Sequence, residues 1–269
     1  MSKTFARFLA TAVTALTKVQ RPERAERNRL MVRDLLTERH TIETQRGQIT
    51  LLCKERREVH YAHHFFDREP AALKWIDGFE APCTFWDVGA NTGIYSLYSA
   101  LSDGVSVFAF EPAASTYGAL YANIHANSLD DRITGLCMGF FDKTVLCELR
   151  MSAIEAGSAM HDFGGLSAPS EEDDQARHVQ KALTFSMDDF RRIYQLEPPN
   201  YLKIDVDGVE EEILQGATQT LDDKRVRSVL IELETDDIAR NKRVIEFFES
   251  HGFGKRTEFK EEHNVVFSR

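Results

Sequence analysis

Phe85-Trp86-Asp87-Val88-Gly89-Ala90-Asn91-Thr92-Gly93-Ile94-Tyr95-Ser96 is the stretch whose reading decides the fold. The apolar run from Thr84 to Val88 reads as a buried strand, and a Gly-x-Asn-x-Gly turn ends it. Ile94, Leu97, Tyr98 and Leu101 then recur at helical spacing. Strand, glycine-rich turn and helix together predict a pocket for a nucleotide-like ligand, with backbone N–H groups pointing outward from the turn. Gly89 permits the tight reversal, Asn91 tolerates a left-handed conformation, and Gly93 lets the helix start lie close to a ligand. The spacing differs from the G-x-G-x-x-G of dinucleotide enzymes.

Outward from this stretch, strands and helices alternate. Val105–Phe110 predicts a strand ending at Glu111-Pro112, Ala113–Asn127 a helix, and Ile133–Phe140 a third strand that Val145–Met151 pairs beside. Residues 152–180, with Gly157, Gly164-Gly165 and the acidic run from Glu171 to Asp174, read as a long loop of the kind that forms lids or substrate loops. Alternation resumes with helix Met187–Tyr194, strand Tyr201–Val206, helix Val209–Leu221, strand Val226–Leu233 and helix Ile238–His251. Two closing strands with no helix between them, Gly254–Phe259 and Asn264–Phe267, place one antiparallel strand in an otherwise parallel sheet covered on both faces. Upstream, Glu69-Pro70 opens a helix that runs to Gly78. Residues 1–45 read as two helices broken near Arg21-Pro22, and 1–66 as an N-terminal helical segment.

The formal charge of −10, with no basic block, argues against a nucleic-acid partner, because phosphate neutralisation needs clustered Lys and Arg. Cys53, Cys83, Cys137 and Cys147 form no C-x-x-C pair and read as reduced thiols. His60, His63 and His64 lack the acidic partner of a zinc helix and read as locally bonded. The apolar segment Phe5–Val19 is interrupted by Arg7 and followed by Lys18 and Arg21, so it reads as a helix rather than a signal peptide. These features place the protein in the cytoplasm, with a peripheral membrane contact or self-association open to the N-terminal helices.

In sheets of this kind ligands bind beyond the carboxyl ends of the strands, where strand order reverses. Asp87, Glu111, Asp142, Asp205 and Glu232 or Glu234 all stand at such ends. Glu111, about 20 residues past the turn, suits the two hydroxyls of a ribose and would repel a 2′-phosphate. Lys203, Asp205 and Asp207 alternate along one strand and so share a face. An internal salt bridge and a catalytic role both account for charges in so apolar a strand.

With these stretches in hand, the chain resembles the FkbM-type methyltransferases, within the Rossmann-like S-adenosylmethionine-dependent methyltransferases. The matching residues are FWDVGANTGIYSLYSA (85–100), VFAFEPAASTYGALYANIHANSL (107–129) and YLKIDVDGVEEEILQGA (201–217), with weaker matches at 68–76, 185–190 and 228–234. The resemblance implies a methyltransferase domain over residues 67–269 and a seven-stranded sheet whose last strand is antiparallel. It implies S-adenosyl-L-methionine as cofactor, with Asp87, Gly89, Asn91 and Gly93 at its methionine and ribose part. Glu111 would take its ribose hydroxyls and Asp142 its adenine amino group. Methyl transfer to an oxygen of a sugar, lipid or secondary metabolite is the implied reaction.

An alcohol must lose its proton as the new bond forms, which calls for a base at the rim. Asp205 is the first choice, oriented by Lys203, with Asp207 and Glu210 next. A divalent cation on Asp205, Asp207 and Glu210 is the alternative, ranked below a metal-free base. Ser158 and His161 lie where a substrate loop is expected, and Glu210 stands beside them as an acceptor contact. An NAD-dependent oxidoreductase and a non-catalytic partner that retains the fold are the competing functions.

Overall fold

The computed structural model describes residues 3–157, 161–164, 178–206, 208–233, 237–256 and 263–269, with the backbone alone at 161, 162 and 164. The chain divides between Arg39 and His40. In the first unit α1 (Lys3–Thr17) and α2 (Pro22–Leu35) form a hairpin, joined where Arg29 Nε donates to Thr17 Oγ1 at 2.8 Å. Pro22 begins α2, as its fixed φ favours.

The division lies earlier than the 66/67 boundary expected from the sequence. Residues 38–44, expected to be helical, are instead strand β1 (Glu38–Thr44), paired with β2 (Gly47–Cys53). Ile42, Ile49, Leu51 and Cys53 join the same core as the main sheet. Beta-branched Thr41, Ile42 and Thr44 favour the extended form over the helix. After the hairpin come α3 (Arg56–His63), the single turn α4 (Phe65–Arg68) and α5 (Pro70–Asp77). His60 meets His64, and His63 meets His40, in tilted ring contacts, and among the described residues no group of three metal-type ligands forms.

The main sheet is built from β3 (Cys83–Val88), β4 (Val105–Phe110), β5 (Ile133–Leu136), β10 (Tyr201–Ile204), β11 (Ser228–Glu232), β12 (Gly254–Arg256) and β13 (Asn264–Ser268). Their spatial order is β12-β13-β11-β10-β3-β4-β5, and β13 alone runs antiparallel to its neighbours β11 and β12. Helices α6 (Ile94–Ala100), α7 (Ala114–Ala126), α8 (Met187–Tyr194) and α11 (Ile238–Ser250) are among those that connect or cover these strands. The helix expected over 209–221 breaks near Gly216 into α9 (Glu210–Gln215) and α10 (Thr218–Asp222). Successive residues point to opposite faces, so Trp86 and Phe85 enter two separate cores on the two sides of the sheet.

The expected third strand also breaks. After Leu136 the chain leaves the main sheet, and β6 (Gly139–Phe140) pairs with β9 (His178–Phe185) in a second sheet of order β6-β9-β7-β8. There β7 (Val145–Met151) pairs antiparallel with β8 (His161–Gly164) and β9. Within the expected long loop, residues 161–164 and 178–180 are thus strand. Leu149, Met151 and Phe163 bury their side chains in the core that holds Trp86.

Candidate active site

Strand order reverses between β3 and β10, with β4 and β5 to one side and β11 to the other. Beyond the carboxyl ends of this pair lies a cavity of about 250 Å³, lined on one wall by Gly89–Thr92, Glu111 and Pro112 and on the other by Lys203, Asp205 and Glu232. Tyr61, Arg68, Glu69 and Tyr95 close it from α3, α4 and α6 and the α4–α5 junction, and Leu149 and Phe163 reach it from the second sheet.

The first wall is made by the backbone. Gly89 and Gly93 have φ of +80° and +89°, and Asn91 of +51°, left-handed as expected for Asn91. At Gly89 a Cβ would sit 1.8 Å from the Asp205 carbonyl oxygen, so only glycine lets β3 and β10 approach here. The N–H groups do not point outward as the sequence suggested. Gly89 and Ala90 donate to the Phe110 carbonyl at 3.0 and 2.9 Å, and Gly93 donates to Ala90 at 2.9 Å. Asn91 N–H donates to Glu111 Oε2 at 3.0 Å and Thr92 N–H to Asn91 Oδ1 at 2.9 Å. Five consecutive donors are therefore satisfied within the protein, leaving the turn as a rigid shape rather than a phosphate cradle. Glu111, 5% exposed, also accepts the Ala113 N–H at 2.8 Å, which fixes its carboxylate at the cavity edge.

The second wall is made by charge. Lys203 stands in register with Asp87 on the face otherwise formed by Phe85, Tyr201 and Leu230. Its fully buried ammonium pairs directly with the Asp205 carboxylate, lies 3.9 Å from Glu69 Oε2 and sits 4.8 Å from the Tyr95 ring centroid. Burial alone would push the ammonium down, but Asp205, Glu69 and Asp87 outweigh it and hold it above its ordinary value. Burial would raise Asp205, yet Lys203 and a hydrogen bond with Glu232 hold it below the usual range. Glu232 takes the opposite course: burial, then the Asp205 charge, push it up to about 9. At neutral pH the pair thus shares one proton, with Glu232 as donor. Burial also raises Glu69 and Asp87.

Of the residues expected at the site, Gly89, Asn91, Glu111, Lys203 and Asp205 line the cavity. Asp87 lies behind them, fully buried, with Oδ2 accepting the Ser96 hydroxyl at 2.6 Å. Gly93 begins α6, where a Cβ would meet Leu120 at 2.4 Å. Asp142 is not among the lining residues; it follows β6, with Lys143 Nζ 3.8 Å from its Oδ1. Glu210 is likewise elsewhere, 4% exposed and paired with Arg240 at 2.8 Å, so it holds α9 to α11. Asp207 and Ser158 lie outside the described residues, as does the side chain of His161, whose backbone belongs to β8.

Glu69 and Arg68 escaped the sequence reading because Glu69-Pro70 looks like a helix start. Glu69 does occupy that N-terminal position, but its carboxylate makes no cap hydrogen bond and turns to Lys203 and Tyr95. Arg68 stacks 4.0 Å over Tyr61. No spacing rule joins Glu69 to a lysine in β10; a buried lysine in search of partners was the one available hint.

The donor set fits a cationic, phosphate-free cofactor. Glu69 Oε2 is a buried acceptor without a hydrogen-bond partner, and Glu111 and Asp205 also present carboxylates to the cavity. S-adenosylmethionine carries a sulfonium, an ammonium and a ribose diol, and no phosphate.

A family model described as the methyltransferase FkbM domain matches residues 87–254, which span both walls. Hexuronic acid methyltransferase AglP of Haloferax volcanii is 28% identical over 158 residues, covering 59% of this chain and 59% of that protein. The 31-O-demethyl-FK506 methyltransferase FkbM of Streptomyces tacrolimicus is 27% identical over 188 residues, 62% of this chain and 71% of that one. The alignment with AglP thus reaches less than two thirds of that relative's length. A crystal structure of a methyltransferase FkbM from Methylobacillus flagellatus aligns with 77% of this chain and 50% of its own, at 16% identity and a TM-score of 0.49.

Proposed function

The chain belongs to the FkbM methyltransferase family, and from that premise we propose that it methylates a hydroxyl oxygen of a sugar, lipid or secondary-metabolite acceptor, using S-adenosylmethionine. The observation that carries this reading is the first wall: a nucleoside-type pocket whose turn has no N–H left for a pyrophosphate, with the Glu111 carboxylate at its edge. It disfavours a dinucleotide and suits a sulfonium. Two relatives are named for a hexuronic acid and for 31-O-demethyl-FK506, and both names support an oxygen acceptor.

S-adenosylmethionine would supply an electrophilic methyl carbon there, with a neutral thioether as the leaving group. Glu111 would hold its ribose, and the turn would fix its place against β3. The acceptor hydroxyl needs orientation and a place for its proton. Asp205 is ionised but weakly basic beside Lys203, so it orients the hydroxyl rather than taking its proton. Glu69 lines the same cavity, and burial raises it above its ordinary value, which makes it a stronger base than Asp205. The role expected of Asp205 thus divides between two carboxylates.

Calorimetric titration with S-adenosylhomocysteine and, separately, NAD tests the reading. Binding of the first with no heat from the second is expected; the reverse, or no binding of either, overturns it. With a methylated acceptor in hand, Glu69→Gln lowers kcat and flattens the acid limb of the pH profile, whereas Asp205→Asn raises KM.

A further inference from the structure

The N-terminal helix carries a feature the active site does not use. Phe5, Phe8, Leu9 and Leu16 recur at helical spacing along one side of α1, and Val19 continues the line just past its end. All five are exposed, Phe8 at 67% and Leu16 at 74%. The contact with α2 runs through buried Thr17 and Ala25, on another side of the helix, and leaves the stripe uncovered. Away from the stripe, Thr11, Thr14 and Thr17 donate their hydroxyls to carbonyls one turn back at 2.8–2.9 Å, so the polar side is largely satisfied within the helix.

The charge around this stripe is one-sided. The first acid in the sequence is Glu23, and before it stand Lys3, Arg7, Lys18 and Arg21. Residues 1–39 hold nine basic and four acidic side chains, a net of +5, in a chain of net −10, so the remainder carries −15. At 15 residues α1 is too short to span a bilayer, and among the described residues no helix is long and apolar enough to cross one.

We propose that α1 docks the protein on an anionic lipid surface, lying in the plane of the interface with Phe5, Phe8, Leu9, Leu16 and Val19 in the acyl boundary. The stripe needs an apolar cover and the flanking lysines and arginines need anions; a bilayer with acidic headgroups supplies both at once. A second copy of α1 would cover the stripe but set its +5 segment against another of the same sign. The proposal stands apart from the assignment of the active site.

The test is co-sedimentation of the full-length protein with vesicles of phosphatidylcholine alone and of phosphatidylcholine with phosphatidylglycerol. Binding to the acidic vesicles should exceed binding to the neutral ones by about tenfold and weaken as salt is added. Phe5→Ser with Phe8→Ser should lose about tenfold, and Lys3→Gln with Arg7→Gln and Lys18→Gln should remove the salt dependence, with unchanged circular dichroism in both. Three results overturn the proposal. They are no binding of the wild type to acidic vesicles, undiminished binding by the serine variant, or a dimer in gel filtration that the serine variant breaks while vesicle binding stays the same.

Discussion

The carboxyl ends of β3 and β10 lie side by side, yet they are built on different principles. The β3 end is a backbone device: left-handed residues, internal hydrogen bonds and one glutamate that ties the turn to the next strand. The β10 end is a charge device, in which one buried lysine is balanced by carboxylates from β3, β10 and the α4–α5 junction, with β11 lending a shared proton. A backbone device holds a shape. A charge device stores its stability in ionisation states and so responds to pH and to the charge of whatever binds.

Breaking the charge device should have the largest effect. Lys203→Met leaves Asp205, Glu69 and Asp87 buried without their cation, and destabilisation of about 3–5 kcal/mol is expected in urea unfolding. A loss under about 1 kcal/mol would show that the carboxyls simply take up protons. Breaking the backbone device comes next. Gly89→Ala combines a left-handed φ with overlap on the Asp205 carbonyl, and should cost about 3 kcal/mol and abolish S-adenosylhomocysteine binding in calorimetry. Glu111→Gln should cost less, about 1–2 kcal/mol, because one of the two backbone N–H groups loses its acceptor.

The pH response sharpens the contrast. In the folded state Glu232 keeps its proton to about pH 9, while in the unfolded chain it releases it near the ordinary value of 4.5. Its contribution to stability therefore falls as pH rises between those limits. Asp205, shifted the other way, loses its contribution only in acid below the ordinary carboxylate range. Urea midpoints measured from pH 5 to 9 should decline in the wild type and flatten in Glu232→Gln, whereas Glu111→Gln should keep the wild-type slope. The smallest effect belongs to Asp142→Asn: standing outside the cavity, it should change S-adenosylhomocysteine affinity by less than about twofold, and a larger loss would restore the adenine contact.

Much of the β3 end was legible because its parts are local. Gly89, Asn91 and Gly93 lie within five residues, their left-handed conformations follow from residue type, and Glu111 stands at a fixed distance along an alternating pattern. The direction of the N–H groups was misread, since it depends on the Phe110 carbonyl and the Glu111 side chain. At the β10 end the sequence marked Lys203 and Asp205 as charges needing an explanation, and left a salt bridge and a catalytic role equally open. The ion pair is present, and its third and fourth members, Glu69 and Glu232, come from elements far apart in the chain. The ion pair of Glu210 escaped for the same reason: an acid at a helix start needs no partner to be explained, and its partner Arg240 lies in α11.

What the sequence determined by itself was the alternation of strands and helices, the antiparallel closing strand and the glycine turn, because periodicity and backbone conformation are set by near neighbours. The tertiary structure alone decided where the third strand leaves the main sheet, that residues 40–66 belong to the sheet-bearing unit, and which carboxyls surround Lys203. Those outcomes rest on burial and on charges brought within a few ångströms by the sheet register, which no spacing along the chain encodes.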